Sequence, residues 1–172
     1  MQSRCYASDQ DTVRLPDQSM AGPLIIGASG RRYWRKAAAN MLFVDVNCRV
    51  LLVLRSQRVD DPNTWGIPGG YADATESFQE AAVREIREEL GTFPYNGHII
   101  DHHDYVDDPF VCRTFVWKFE GKPDWCPRVD GDECLAMKWF ETSGVLSIPL
   151  YWHTKAVLEH FGYETGRLLS QV

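Results

Sequence analysis

Three carboxylates with helical spacing are the residues of this sequence best placed to do chemistry. Glu85, Glu88 and Glu89 stand at positions i, i+3 and i+4, so a helix would carry them on one face. Like charges at this spacing repel one another by about 0.2–0.5 kcal/mol per pair. Arg84 and Arg87 are interspersed among them, so a solvated acidic helix face would also fit this segment taken alone.

Two adjacent glycines upstream favour a binding site over a plain acidic surface. Gly69 and Gly70 lie in a loop that leads toward the carboxylates, and glycine lets a backbone approach a ligand or metal closely. Clustered carboxylates beside a close backbone carbonyl form a site of hard oxygen donors. Such a site suits Mg²⁺ or Mn²⁺ rather than zinc.

The segment from Gly70 to Thr92 carries a longer pattern of fixed residues. In order, its fixed members are Gly70, Glu76, Arg84, Glu85, Glu88, Glu89 and Gly91, with the aliphatic Ile86 after Glu85 and with Thr92 at the end where an aliphatic residue is usual. Seven residue identities at set spacing would match by chance less than about once in ten million trials. The pattern resembles a complete Nudix box, and the likeness covers roughly residues 36–162.

The resemblance implies a metal site and a reaction class. It makes Glu85, Glu88 and Glu89 ligands of Mg²⁺, with Mn²⁺ as a substitute, and it makes Gly69 a ligand through its backbone carbonyl. The implied enzyme is a Nudix hydrolase, which acts on phosphorus-containing acid anhydrides. Two or more metal ions would neutralise the diphosphate and lower the pKa of the attacking water.

The resemblance also implies roles for residues around the metal ligands. Glu76 would orient the catalytic helix or act through water, and Arg84 would hold a box carboxylate in place. Glu85 is our choice for helping to deprotonate the attacking water. Glu133, in a loop before the last strand, would be a further ligand or the base, although an ordinary loop acid is an equally good interpretation.

The hydrophobic pattern predicts the elements that must position these residues. Ser77 and Glu80 form a capping box, and Gly91 stands where a C-terminal cap belongs, so a helix is expected from Ser77 to Leu90. A second helix is expected over 150–161, and strands are expected over 37–44, 50–54, 98–106, 110–119 and 136–140. The turn chemistry of residues 45–48 predicts that the first two of these strands form a β-hairpin. The predicted fold class is α/β, a Nudix-type α/β/α sandwich with a mixed β-sheet.

The N-terminal part lies outside the likeness to the family. Residues 1–30 are expected to form an irregular arm with one short strand at 24–26, and residues 31–172 to form the Nudix hydrolase domain. The basic segment 31–36 contains Arg35, a candidate for contacting a phosphate of the substrate. A solvated entry to the first strand is the commoner meaning of such a segment.

The substrate is less well determined than the reaction. Tyr105 and Phe110 are candidates for stacking on a base, as are Trp34, Trp117 and Trp125, although a core position is the commoner meaning of each. A nucleoside triphosphate, including oxidised or non-standard forms, is expected to yield a monophosphate and pyrophosphate. The alternative is ADP-ribose or a nucleotide sugar, and the alternative of another class is a non-catalytic module that senses a nucleotide. Such modules usually lose box glutamates, which are intact here.

Composition excludes several classes of partner. The 172 residues carry a formal net charge of −6, which disfavours binding to a long nucleic acid. No apolar run exceeds five residues, so no membrane span is expected. The five cysteines lack the spacing of a zinc or redox motif. We expect a cytoplasmic enzyme that binds a small nucleotide, and a homodimer is compatible with the resemblance.

Overall fold

The structure is a computed structural model in which residues 24–26, 32–34, 36–73, 76–107 and 110–162 are described. Its strands are β1 Leu24–Ile26, β2 Arg32–Trp34, β3 Lys36–Val44, β4 Val50–Arg55, β5 Trp65–Gly66, β6 Gly69–Tyr71, β7 Gly97–Asp107, β8 Phe110–Phe119 and β9 Cys134–Phe140. Its helices are α1 Phe78–Leu90, α2 Trp152–His160 and a single 3₁₀ turn at Val145–Ser147. Neither α-helix in these ranges is long and apolar enough to cross a membrane.

A mixed sheet is built around β3. One edge of β3 pairs in parallel with β8 along its whole length, and β7 pairs antiparallel with the far side of β8. The other edge pairs antiparallel with β6 and, at its end, with β4. Strand β4 in turn pairs antiparallel with β5 and β9. Strands β1 and β2 form a separate antiparallel pair.

Each face of the sheet is covered by one helix. Met41 and Phe43 of β3 pack in the core that includes α1, whereas Leu42 and Val44 pack in the core that includes α2. This alternation follows from the two-residue period of a strand. The result is an α/β/α sandwich with a mixed sheet, as the sequence predicts.

Helix α1 begins and ends where its sequence signals predict. The Ser77 hydroxyl accepts a hydrogen bond from the Glu80 backbone N–H at 3.2 Å, and the Glu80 carboxylate accepts one from the Ser77 N–H at 2.9 Å. Gly91 ends the helix with a left-handed φ of 74°. Ile86 and Leu90 are fully buried, and the carboxylates lie on the adjacent face of the helix, with Glu89 at the edge of the core.

The first two long strands differ from the predicted hairpin. The segments 37–44 and 50–54 are strands, but β3 and β4 pair only at Val44 and Val50. Both edges of β3 are occupied by other strands, β8 and β6, so β4 turns away to pair with β9. This departure leaves β6 beside β3, and β6 contains the two glycines of the candidate site.

Candidate active site

The two glycines of β6 bring its backbone close to β3. Gly69 has a φ of 138°, which side-chain-bearing residues rarely adopt. A Cβ atom there would lie 2.6 Å from both Cα and Oδ1 of Asn40 and would also collide with the Ala39 carbonyl oxygen. Only glycine fits at this position, and the backbone lies where the sequence predicts a close approach.

Gly70 gives room to the Glu85 carboxylate. A Cβ atom on Gly70 would lie 2.5 Å from Oε2 and 2.8 Å from Oε1 of Glu85. The carboxylate therefore lies directly over the glycine backbone, and its side chain is only 15% exposed. The third carboxylate of the helix face, Glu88, is 59% exposed.

Arg84 joins the acidic residues into one network. Its Nε and Nη2 donate to the two oxygens of Glu76 at 2.7 and 3.0 Å. Its Nη1 donates to Glu85 at 2.8 Å and to Glu88 at 3.0 Å. Its Nη2 also donates to the Tyr71 carbonyl at 2.8 Å, which fastens α1 to β6. Arg84 thus holds two predicted ligands and the predicted orienting residue in place.

Glu89 lies on the inner side of this group. We call Glu76, Arg84, Glu85, Glu88 and Glu89 together the carboxylate network. Glu89 is 9% exposed. Its Oε2 accepts a hydrogen bond from the Gly69 backbone N–H at 2.8 Å, and its Oε1 contacts the Cys134 thiol at 3.5 Å. Glu89 thereby connects the glycine strand β6 to the start of β9.

Glu133 is exposed and lies beside the cluster. Desolvation is the main cause that raises the pKa of Glu85 and of Glu89, and the charge of Glu133 adds to it in both cases. The Glu133 backbone carbonyl accepts a hydrogen bond from the Ser56 N–H at 2.8 Å, which ties the loop to the end of β4. The fold therefore brings Glu133 within electrostatic range of Glu85 and Glu89, although it lies 44 residues from Glu89 in sequence.

Burial controls the charge state of the site. Desolvation raises the pKa of Glu89 to about 8, against the stabilising hydrogen bond from the Gly69 N–H. Desolvation likewise raises the pKa of Glu85, and the Arg84 guanidinium opposes it. The hydrogen bonds from Arg84 hold the pKa of Glu76 below its ordinary value. Among the described residues, the hydrogen bonds and positive charge around Glu85 and Glu89 therefore do not offset the desolvation of their carboxylates.

This donor set fits a hard divalent cation. Within the described ranges, no three carboxylate, imidazole or thiol groups already lie together at the distances that a metal ion requires. Two of the predicted ligands, Glu85 and Glu88, each accept a hydrogen bond from Nη1 of Arg84. Oxygen donors that are packed together and partly desolvated are the environment that Mg²⁺ or Mn²⁺ would stabilise.

Four aromatic rings form a row that starts at the site. Tyr71 and Phe110 lie 6.4 Å apart between ring centroids, Phe110 and Tyr105 lie 6.5 Å apart, and Tyr105 and Trp152 lie 5.1 Å apart. Tyr71 is 59% exposed and Trp152 is 45% exposed. Tyr71 also bonds Arg84 through its carbonyl, so this aromatic row begins at the carboxylate network.

A buried polar pair lies next to the aromatic row. Nδ2 of Asn40 is 3.4 Å from Nδ1 of His153, whose ring meets that of Tyr105 at 5.6 Å. His153 is 2% exposed, and its Nε2 has no hydrogen-bond partner in the part of the chain that is described. Burial lowers the pKa of His153 to about 4. Asn40 pairs with Gly69 across β3 and β6, so this neutral imidazole is connected to the glycine strand.

Two of the remaining predicted substrate residues, Trp117 and Trp125, do not join this surface. Arg35 and the side chain of Trp34 lie outside the described residues, so they stay predictions. Trp117 packs on Phe93 and Trp125 packs on Phe43, with ring centroids 5.0 and 4.8 Å apart. Both belong to the core on the α1 side.

An open cavity of about 560 Å³ lies elsewhere, along β7. Its lining contains none of the clustered carboxylates and consists of Gln79, Gly97, His98, Ile99, Ile100, Asp101, His102, Phe115 and Trp117. We place the candidate active site at the carboxylate network because charge and close backbone contacts coincide there.

Several residues near the site do not follow from the sequence pattern. Tyr71 directly follows the glycine pair, and this position could have singled it out. Asn40, Cys134, Trp152 and His153 have no local signal, because each reaches the site through pairing or packing across the sheet.

Comparison with known proteins identifies the family of this chain. The NUDIX domain family model matches residues 34–161. CTP pyrophosphohydrolase of Escherichia coli (strain K12) is 28% identical over 113 residues, which cover 66% of this chain and 82% of the relative. Putative 8-oxo-dGTP diphosphatase 3 of Mycobacterium tuberculosis (strain ATCC 25618 / H37Rv) is 39% identical over 138 residues, which cover 74% of this chain and 62% of the relative.

Solved structures of Nudix hydrolases share the fold of this chain. The crystal structure of a MutT NUDIX hydrolase from Burkholderia pseudomallei superposes with a TM-score of 0.55 and 28% identity, and the match covers 73% of this chain and 96% of that one. Together with the family match over residues 34–161, this agreement supports one assignment. The chain belongs to the NUDIX domain family and is a Nudix hydrolase.

Proposed function

We propose that this enzyme hydrolyses a nucleoside triphosphate, including oxidised or non-standard forms, to a nucleoside monophosphate and pyrophosphate with Mg²⁺. The names of two relatives support this substrate class, one a CTP pyrophosphohydrolase and the other a putative 8-oxo-dGTP diphosphatase. The chain spans less than two thirds of the mycobacterial relative. The choice of substrate class therefore also rests on the residues of the site.

One observation carries the proposal. The Arg84 network, the glycine backbone of β6 and the buried Glu89 together form a single acidic surface next to the aromatic row. A carboxylate cluster by itself repels a diphosphate. Bound Mg²⁺ would reverse the local charge and lower the pKa of the attacking water. The metal would then bind the diphosphate of a nucleotide while the aromatic row binds its base.

The protein's own groups have distinct tasks in this reaction. Glu85, Glu88, Glu89 and the Gly69 carbonyl would hold the metal, and Arg84 would keep Glu85 and Glu88 oriented. Glu76 locks Arg84 by a two-point hydrogen bond. Such positioning is the main contribution that an enzyme makes to phosphoryl transfer.

The bond changes are those of a simple hydrolysis. The oxygen of water attacks one phosphorus of the diphosphate, and the bond from that phosphorus to the bridging oxygen breaks. The water proton passes to a carboxylate, for which the half-buried Glu85 and the neighbouring Glu133 are the candidates. Pyrophosphate and the nucleoside monophosphate are the two products.

The aromatic row is proposed to hold the base. Tyr105 and Phe110 are among the stacking candidates from the sequence, and Tyr71 and Trp152 add the exposed ring surface. Stacking of a base on an aromatic ring contributes about 1–3 kcal/mol and tolerates different bases. Asn40 and His153 at its inner edge provide polar atoms that could bond the edge of a base.

A substrate panel tests the proposed function. The purified protein with Mg²⁺ would be offered nucleoside triphosphates, their oxidised forms, ADP-ribose and nucleotide sugars, with the products separated chromatographically. We expect turnover of triphosphates with release of pyrophosphate. Preferred turnover of ADP-ribose or a nucleotide sugar would overturn the substrate class, and a folded protein that binds nucleotide without turnover would indicate a sensing module.

A substitution tests the aromatic row separately. Trp152→Ala removes an exposed ring, and we expect it to raise KM by about tenfold with little change in kcat, since stacking contributes about 1–3 kcal/mol. Tyr95→Ala is the matched control, because Tyr95 is 88% exposed and lies outside the row. An unchanged KM in Trp152→Ala would remove Trp152 from the base site.

A further inference from the structure

The Cys134 thiol lies against one oxygen of the buried Glu89. Sγ is 3.5 Å from Oε1, and Cys134 is 2% exposed. The other oxygen, Oε2, is held by the Gly69 backbone N–H at 2.8 Å. These two donors come from β9 and β6, so they fix the orientation of the carboxylate from two sides.

The loop that delivers Cys134 is fastened to the C-terminal end of α1. The Asp130 N–H donates to the Glu89 carbonyl at 3.0 Å, and the Arg128 N–H donates to the Leu90 carbonyl at 2.9 Å. Oδ1 of Asp130 accepts a hydrogen bond from the Cys134 N–H at 3.0 Å. The loop therefore holds Cys134 beside Glu89 through hydrogen bonds that involve no ligand.

The same loop sets the position of Glu133. Oδ2 of Asp130 accepts a hydrogen bond from the Glu133 N–H at 3.3 Å, and Gly131 supplies the left-handed φ of 78° that the turn requires. Asp130 thus positions both Glu133 and Cys134 beside the carboxylates of α1. A plain surface loop would not need these contacts to the helix end.

A thiol has a chemical property that suits this position. It is a weak hydrogen-bond donor without charge, so it orients a carboxylate while leaving its lone pairs available to a cation. A lysine or arginine there would hold the carboxylate more tightly and compete with the metal. The alternative role for a buried cysteine is that of a small core hydrophobe, which predicts effects on stability alone.

We propose that Cys134 is a positioning residue that orients Glu89 for the divalent cation. The proposal rests on the proposed function in one respect, namely that Glu89 is a metal ligand. Cys134 touches neither substrate nor metal, and it acts through the direction in which Glu89 presents its free lone pairs. Groups that orient metal ligands in this way contribute about 10–100-fold to metal affinity or activity.

The test compares Cys134→Ala, Cys134→Ser and the control Cys112→Ala. Cys112 is also 2% exposed but packs in the sheet next to Thr114, away from the carboxylate network. Each variant would be titrated with Mn²⁺ by electron paramagnetic resonance, which counts bound metal without turnover, and with Mg²⁺ in the activity assay. Thermal melts would report the stability of each variant.

We expect Cys134→Ala to weaken Mn²⁺ binding and to raise the half-saturating Mg²⁺ concentration by about tenfold. The KM for nucleotide at saturating Mg²⁺ should change by less than about twofold, and the serine variant should recover part of the metal affinity because it restores a donor. Cys112→Ala should lower stability and leave the metal titration unchanged.

Two outcomes would overturn the proposal. One is a wild-type metal titration in Cys134→Ala, and the other is an equal shift in Cys112→Ala, which would indicate a general packing effect. Failure of the proposed function gives a different result, because the wild-type protein would then bind no Mn²⁺ at the site or turn over no nucleotide.

Discussion

The carboxylate of Glu85 lies directly over the Cα of Gly70, with no space between them for a methyl group. A Cβ atom on Gly70 would be 2.5 Å from Oε2 of Glu85, well inside the contact distance of the two atoms. Since the same carboxylate bonds Arg84 at 2.8 Å, a side chain at position 70 would disturb both the proposed metal ligand and the residue that orients it.

Gly70→Ala should therefore lower kcat by more than about tenfold, because positioning errors of about 1 Å are costly in phosphoryl transfer. The matched control is Gly121→Ala, since a Cβ atom on Gly121 has no neighbour within 4 Å. Steady-state kinetics and circular dichroism would separate lost activity from lost folding. Full activity in Gly70→Ala would contradict the assigned position of Glu85.

Arg84→Lys should also reduce turnover, although the charge is kept. Arg84 makes a two-point hydrogen bond to Glu76 and also reaches Glu85 and Glu88. A lysine ammonium is a point charge and cannot reproduce this fork. We expect kcat to fall by about tenfold or more, since groups that orient metal ligands contribute on that scale.

The control for that substitution is Arg87→Lys, because Arg87 is exposed in the last turn of the same helix. Kinetics at saturating Mg²⁺ would be compared for the two variants. Equal activity in Arg84→Lys, Arg87→Lys and the wild-type protein would mean that the network is only a surface ion-pair cluster.

His153 should give the protein a specific sensitivity to acid. Its pKa is lowered to about 4 in the fold by burial, from an ordinary value of 6.5. A depressed histidine pKa contributes stability that is fully present above pH 6.5 and is lost as the pH falls toward 4. Between pH 7.5 and pH 5 this contribution decreases by about 2 kcal/mol.

The measurement is the free energy of unfolding in urea at both pH values. Glu89 responds in the opposite sense, because its raised pKa of about 8 gives stability that is lost as the pH rises. The comparison is therefore between variants: His153→Gln should lose less stability on acidification than the wild-type protein. His98→Gln, which replaces an exposed imidazole, should behave like the wild-type protein.

The parts of the site that are local in sequence could be predicted. Ser77, Glu80 and Gly91 fix the ends of α1 through contacts within a few residues, and the structure confirms them. Once the helix is placed, Glu85 and Glu89 share a face by geometry alone. The glycine pair was also predicted to approach closely, and Gly69 does so.

The parts that depend on pairing across the sheet could not be predicted. The hairpin expected from 37–44 and 50–54 forms only at its closed end, where Val44 pairs with Val50, since the rest of β3 bonds β6 and β8. Cys134 meets Glu89 and His153 meets Asn40 across 45 and 113 residues of sequence. Neither contact has a period or a spacing that a single sequence would reveal.

Glu89→Gln, assayed with nucleoside triphosphate and Mg²⁺, tests the central claim most directly. The amide has nearly the same shape, and its oxygen can still accept the Gly69 N–H, so the fold should remain stable. Loss of the negative charge should weaken Mn²⁺ binding and lower kcat by about 100-fold or more. Glu141→Gln, at an exposed position, should retain wild-type activity. Wild-type turnover and metal dependence in Glu89→Gln would show that the carboxylate network is not the catalytic metal site.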